Sequence, residues 1–143
     1  MNATDQTVAR LCTEEGYRQY PYDDATGQPV KAPVGNLSWL IGLNLMAIGS
    51  KGLAVAMVTY IVHEIEMKLQ SFAWYPGLPP GVQSVCQDIA YNDGLEGLLH
   101  YPHMIAALAQ RDYEAAAAQC TSSNPKLQSR YKALADIIIA NGI

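Results

Sequence analysis

The chain has 143 residues, of which half are apolar and 15% are charged, and its formal net charge is -4 at pH 7. This length suits one domain with one core, and the acidic balance excludes a chain-wide basic surface for nucleic acid. The three cysteines are odd in number and widely spaced, which predicts buried free thiols rather than a disulfide framework or a cysteine metal site. The N-terminal segment MNATDQTVAR has no basic stretch leading into an apolar one, so we expect no signal peptide and a cytoplasmic location.

The first predicted element is a helix over residues 4–14, with Thr4 or Asp5 as its N-cap. The segment YPYDDATGQPVKAPVGN comes after this helix and is rich in turn-forming residues. Between these turns we expect short strands around Val30 and over residues 37–41.

A long helix is predicted over residues 51–71, with Ser50 as its N-cap. Its second half is amphipathic, with Ile61, Ile65 and Leu69 on one face, and its first half is apolar nearly all round. The segment YPGLPPG ends this helix because proline cannot continue it. Four further helices are expected over residues 82–91, 102–109, 112–120 and 125–140.

These elements predict an α+β fold that is mainly α, with the strands confined to a region near the N-terminus. A single domain over residues 1–143 would contain a small β lobe at about 17–50 and a connecting helix at about 51–71. Its helical lobe, at about 76–143, would also include the N-terminal helix.

Two carboxylates and a hydroxyl follow one another along the first part of the chain. Glu15 closes the first helix, Asp24 lies in a turn, and Ser38 lies on a predicted strand. A sheltered carboxylic acid can keep its proton and act as a general acid, while a second carboxylate and a hydroxyl position a water molecule. Hydrolysis of a glycosidic bond requires such a pair of carboxyl groups. From spacing alone, however, acidic residues near turns more often face solvent.

Two stretches of the chain resemble the phage-type lysozymes, the endolysins that cut bacterial cell-wall glycan. The first is EEGYRQYPYDD, followed by a turn and by GNLSWLIGLNL, which matches the family's hairpin pattern at Gly35, Leu37, Gly42, Asn44 and Leu45. The second begins at WYPGLPPGVQ and includes an aromatic-Asn-x-Gly element at Tyr91, Asn92 and Gly94. The resemblance covers about residues 5–140 and implies a lysozyme-like fold.

The resemblance implies a muramidase that hydrolyses the β-1,4 glycosidic bonds of the peptidoglycan glycan strand, without a metal or a cofactor. Glu15 stands where the family has its general acid, and Asp24 where it has the Asp that helps to place the attacking water. Ser38 stands where the family has a supporting Thr, and Asn44 and Asn92 match substrate-binding positions. An endolysin of this kind stays in the host cytoplasm until lysis.

The hairpin and the helix after it depart from the family pattern in one direction, toward apolar residues. Leu40 replaces the first Gly of a Gly-x-Gly, and Leu43 stands where His or Arg is usual. Further apolar replacements of polar or acidic residues are Met46, Ala47, Leu53, Val55 and Ile61. Because these changes fall near the expected catalytic hydroxyl, they leave open whether the muramidase activity is retained, reduced or lost.

Three explanations of this apolar segment remain open. A membrane span over residues 37–62 would be long enough, but Asn44, Lys51 and several Gly and Ser residues interrupt it, so we expect no span. In the second explanation the hairpin packs onto the helix as core. In the third, an apolar surface binds a protein partner or a second copy of the chain, on a diverged or engineered lysozyme scaffold. That surface would consist of Trp39, Leu43, Met46, Leu53 and Tyr60.

Two further pairs of side chains have a structural and a functional interpretation. His100 and His103 are three residues apart, but no further metal ligand is evident, so we interpret them as surface or capping residues. Trp74 and Tyr75 precede the break before the second lobe and are predicted to be core, with sugar stacking as the alternative.

Overall fold

The computed structural model describes residues 2–14, the strand residues 38–39 and 43–44, and residues 51–142. This part of the chain is mainly helical, as the sequence predicts. Its α-helices, in chain order, are Ala3–Glu14 (α1), Lys51–Leu69 (α2), Pro80–Leu99 (α3), Pro102–Ala109 (α4), Tyr113–Gln119 (α5) and Gln128–Asn141 (α6), with a 3₁₀ turn at Pro125–Leu127 before α6.

The predicted β lobe is described at one place only. Ser38–Trp39 (β1) and Leu43–Asn44 (β2) pair antiparallel, with Ser38 opposite Asn44 and Trp39 opposite Leu43. The rest of the predicted β lobe lies outside the described residues, so this short pairing does not show a lobe.

Helix α1 begins at Ala3, one residue before the predicted start, and its cap differs from the one that the sequence suggests. The backbone N–H of Asp5 donates to Asn2 Oδ1 at 2.8 Å, so the side chain of Asn2, rather than Thr4 or Asp5, accepts the capping hydrogen bond. The buried residues are Ala3, Thr7 and Leu11, which are spaced by four and therefore form one stripe along the helix.

Helix α2 lies where the sequence predicts a long helix, but its buried face differs from the predicted one. Val62 and Leu69 are fully buried and Ile65 is half-buried, whereas Ile61 is 37% exposed. The buried stripe therefore begins at Val62 instead of Ile61, because packing against neighbouring helices selects among apolar residues that periodicity alone does not separate. Among the helices of the described ranges, none combines the length and apolarity that a membrane crossing requires.

Helix α3 is longer at both ends than the predicted 82–91. It begins at Pro80 because proline is tolerated in the first turn, where its missing N–H needs no partner. At Gly94 the backbone has φ 76° and ψ 166°, a conformation almost restricted to glycine, and helical geometry then resumes to Leu99. Residues 84–90 are all buried, so α3 is a central helix.

The last three helices lie where the sequence predicts them. Helix α4 has the predicted bounds, and the side chain of Asp112 caps α5 by accepting the N–H of Ala115 at 3.0 Å. The predicted last helix starts with the 3₁₀ turn, in which Asn124 Oδ1 accepts the N–H of Lys126 at 3.0 Å.

The apolar core lies around α3, which α1, α2 and α6 all contact. Side chains from α2 to α6 and from the segment between α2 and α3 meet there. The largest of the fully buried apolar side chains include Leu69, Tyr75, Ile89, Leu98, Met104, Leu108, Leu134 and Ile138. Burial of each such side chain is worth roughly 1.5–3 kcal/mol, so this core holds α2 and α6 firmly against α3.

Candidate functional site

The predicted catalytic residues are only partly within the described ranges. Glu15 and Asp24 lie outside them. Ser38 and Asn44 are described as a strand pair, opposite each other in the antiparallel register. Glu14, the last residue of α1, immediately precedes Glu15 in the chain, and its contacts define the described part of the candidate site.

The end of α1 carries two charged side chains that bond to neighbouring helices. Arg10 and Glu14 are four residues apart, so they lie on one face of the helix. Arg10 Nε donates to Asp88 Oδ2 at 2.6 Å, and Arg10 Nη2 donates to the carbonyl oxygen of Ser84 at 2.7 Å. These bonds tie the last turns of α1 to α3.

A second arginine joins the two carboxylates across the helices. Arg130 Nη2, on α6, lies 3.0 Å from Asp88 Oδ1 and 2.9 Å from Glu14 Oε2. Asp88 has no exposed surface, and a buried carboxylate is stable in its charged form only when it is paired and hydrogen-bonded. We call Arg10, Glu14, Asp88 and Arg130 the α1 ion cluster; its formal charges sum to zero.

Asn92, the predicted substrate-binding residue on α3, is attached to this cluster. Its Nδ2 donates to Asp88 Oδ1 at 3.0 Å and to the Asp88 carbonyl oxygen at 2.8 Å. Two residues later, Gly94 supplies the kink described above. The Asn and the Gly of the aromatic-Asn-x-Gly element thus have distinct local roles, one bonded to the cluster and one permitting the turn.

The kink in α3 is also tied to α6. The hydroxyl of Tyr131 donates to Asp93 Oδ2, and the rings of Tyr131 and Tyr101 stack with their centroids 6.1 Å apart. Burial, together with the hydrogen bond to Asp93, raises the pKa of Tyr131 well above its usual range, so this hydroxyl remains a donor. The two residues before the kink are therefore held by side-chain hydrogen bonds.

A separate polar network fixes α2 against α1 and α3. Thr7 Oγ1 donates to Gln87 Oε1 at 2.6 Å, and Gln87 Nε2 donates to Glu66 Oε2 at 2.5 Å. The hydroxyl of Tyr75 also donates to Glu66 Oε2, and burial followed by this bond raises the pKa of Tyr75. Tyr75 is fully buried and Trp74 is half-buried, which confirms their prediction as core residues.

The predicted partner surface is described only in part. Met46 lies outside the described residues, and for Trp39 and Leu43 only the strand pairing is described. On α2, Leu53 is half-buried and Tyr60 is 65% exposed. Met67, two turns after Tyr60, is exposed as well, and the exposed polar residues His63 and Glu64 lie between them on this face.

The remaining candidates are two histidines and the three cysteines. His100 and His103 are exposed, as predicted for surface residues. Within the described ranges no group of three His, Cys, Asp or Glu residues is arranged to hold a metal ion. Cys86 and Cys120 are buried free thiols, as predicted, and Cys12 is half-buried. Burial, and then the charge of Asp88, raise the pKa of Cys120 to about 12.

Arg10, Glu14, Asp88 and Arg130 are not identified by the sequence analysis above. A signal was nevertheless present, because Asp88 interrupts the buried run between Val85 and Ile89 of a predicted helix. A charged residue at such a position requires partners from elsewhere in the fold. The sequence does not say which of the nine Lys and Arg residues supply them.

Comparison of this chain with protein-family models, with curated proteins and with solved structures gives no match. A functional assignment therefore depends on the motifs and on the geometry of the α1 ion cluster.

Proposed function

We propose that this protein is a muramidase of the phage-lysozyme type, which hydrolyses β-1,4 glycosidic bonds of bacterial peptidoglycan. The observation that carries the proposal is the α1 ion cluster. It joins Glu14, the residue before Glu15, to Asn92 through Arg130 and Asp88. Two motifs that the family resemblance assigns to one site, and that are far apart in the sequence, thus meet through a continuous set of contacts.

In the proposed reaction Glu15 donates its proton to the glycosidic oxygen as the bond from this oxygen to the anomeric carbon breaks. Asp24 accepts a proton from a water molecule, which attacks the anomeric carbon from the opposite face, and Ser38 supports this water with its hydroxyl. A water held by the second carboxylate is the arrangement of an inverting glycosidase. On this proposal Asn92 is held by Asp88 at the edge of the sugar-binding groove, with Asn44 on β2 as a further sugar contact, and the enzyme acts from the host cytoplasm at lysis.

The test is the loss of turbidity of a bacterial cell-wall suspension. The wild type should clear it, and Glu15→Gln should lower the rate about 10²–10⁴-fold, because the amide cannot donate the proton. Glu64→Gln is the matched control, since Glu64 is exposed on α2, and it should clear at the wild-type rate. Folded wild type that clears no faster than buffer, or Glu15→Gln at the wild-type rate, would contradict the proposal.

We infer a second candidate function, binding of a protein partner or of a second copy of the chain, from the exposure of Tyr60 on α2. Aromatic residues are enriched at protein interfaces, and Trp39, Leu43, Met46 and Leu53 complete the surface in this proposal. In sedimentation, Tyr60→Glu should abolish association. Ala54→Glu, an exposed position six residues earlier and about 120° around the helix, should not. A strictly monomeric wild type that binds no apolar dye would exclude this function.

A further inference from the structure

Asp88 is the one member of the α1 ion cluster without any exposed surface, and both arginines meet on it. Its two carboxylate oxygens are divided between them: Oδ2 accepts from Arg10 Nε and Oδ1 accepts from Arg130 Nη2. The same Arg130 nitrogen also pairs with Glu14. Asp88 therefore binds α1 at two residues, directly at Arg10 and through Arg130 at Glu14.

These two points are one helical turn apart and lie at the end of α1. Arg10 and Glu14 are therefore anchored together, and the last turn of the helix has little freedom to rotate or fray against α3 and α6. Glu15 is the next residue of the chain after Glu14. Any shift of the last turn of α1 is thus passed directly to the next residue.

We propose that Asp88 is a positioning residue, which holds the C-terminal turn of α1 through Arg10 and Arg130 and thereby places the acid at Glu15. The placement of Glu15 rests on the muramidase function proposed above. Asp88→Asn keeps the shape of the side chain but removes its charge, and it turns an amide N–H₂ toward one of the arginines. The two guanidinium groups then face each other with one carboxylate fewer, and the Arg130–Glu14 pair loses its anchor on α3.

The first test is the kinetics of hydrolysis of soluble, uncross-linked peptidoglycan strands, followed by the release of reducing ends. Asp88→Asn should lower kcat by about 10- to 100-fold with KM within about twofold, because misplacement of a reacting group affects the transition state and not the binding of the long glycan. The matched control is Asp136→Asn, which breaks the exposed Lys132–Asp136 ion pair on α6 and should leave kcat unchanged. An unchanged kcat for Asp88→Asn, or an effect on KM alone, overturns the proposal.

A double-mutant cycle then separates positioning from general weakening of the fold. Glu14→Gln releases the other end of the same bridge and should lower kcat as Asp88→Asn does. If the two residues act through Arg130 as one unit, the double variant should lose no more than the larger single loss. Losses in kcat that multiply would show that the two residues act independently, and would overturn the proposal.

Two further measurements cover the other outcomes. Should Asp88→Asn fail to fold, Arg130→Lys tests the same bridge, because an ammonium keeps the charge but lacks the planar fork; a wild-type kcat would then overturn the proposal. Should Glu15→Gln retain wild-type activity, the muramidase function fails, and amide hydrogen exchange of residues 11–14 tests Asp88 alone. Faster exchange in Asp88→Asn than in Asp136→Asn supports its control of α1, and equal exchange overturns it.

Discussion

Removal of Arg10 tests how much the α1 ion cluster contributes to stability. Arg10→Met keeps the packing of the aliphatic stem and removes the guanidinium, which donates to Asp88 at 2.6 Å and to the Ser84 carbonyl at 2.7 Å. Removal of one partner from a buried ion pair costs about 3–5 kcal/mol. Arg130 remains on the other carboxylate oxygen and Arg10 is 15% exposed, so we expect a loss toward the lower end, about 3 kcal/mol.

Urea unfolding followed by far-UV circular dichroism measures this loss. The transition midpoint should fall with an unchanged slope, and the melting temperature should fall by about 10 °C for a chain of this size. Lys132→Met is the matched control: its ion pair with Asp136 is exposed on both sides, so the loss should stay below about 0.5 kcal/mol. A loss below about 1 kcal/mol for Arg10→Met, or equal losses for the two variants, would refute the reasoning that burial makes this pair important.

Three further predictions concern a backbone conformation, a helix cap and a buried thiol. Gly94→Ala should destabilise the protein by about 1–3 kcal/mol through backbone strain alone, since an added Cβ meets open space. Gly52→Ala in α2 should instead stabilise the protein by about 0.5–1 kcal/mol, and equal effects of the two variants in thermal melts would contradict the role of backbone strain at Gly94. Asp112→Ala should lower the free energy of unfolding by about 1 kcal/mol by removing the cap on the Ala115 N–H, whereas Asp112→Asn should keep most of that stability. The same loss for both variants in chemical unfolding would exclude a capping role. The free energy of unfolding should fall as the pH rises from about 9 toward 12, because the Cys120 thiol ionises in the unfolded chain before it ionises in the folded one. In urea titrations at several pH values, Cys120→Ala should reduce the slope of this free energy against pH by up to about 1.4 kcal/mol per pH unit. An unchanged slope would contradict burial of the thiol as the cause.

Local chemistry explains why the helices could be predicted well from the sequence. Proline in the first turn sets the start of α4, and Asp112 sets the start of α5, so these bounds need no information from distant residues. The start of α3 was missed because the run around Pro79 and Pro80 reads as a break, although proline is favoured at the first helical position.

The candidate site was predicted less completely, because its charged residues are far apart in the chain. The resemblance to phage-type lysozymes led to Glu15, Asp24, Ser38, Asn44 and Asn92, and of these the described residues show a side-chain contact for Asn92. Arg10 and Asp88 are separated by 78 positions, and no local pattern pairs them. The catalytic roles of the predicted residues remain predictions that the clearing assay tests.

By itself, the sequence determined the helical majority, the approximate bounds of the helices and the burial of Cys86 and Cys120. Propensity, capping and proline allow this for the helices because they act within a few residues of each other. Only the tertiary structure decided which apolar face of α2 is buried, and which arginines share the carboxylate of Asp88. The buried face of α2 depends on how this helix packs against α1 and α3. The pairing of the two arginines depends on how α1 and α6 pack against α3, since that packing excludes water from the Asp88 carboxylate. Burial then converts a few scattered charges into an anchor at the end of α1, one residue before the proposed catalytic acid.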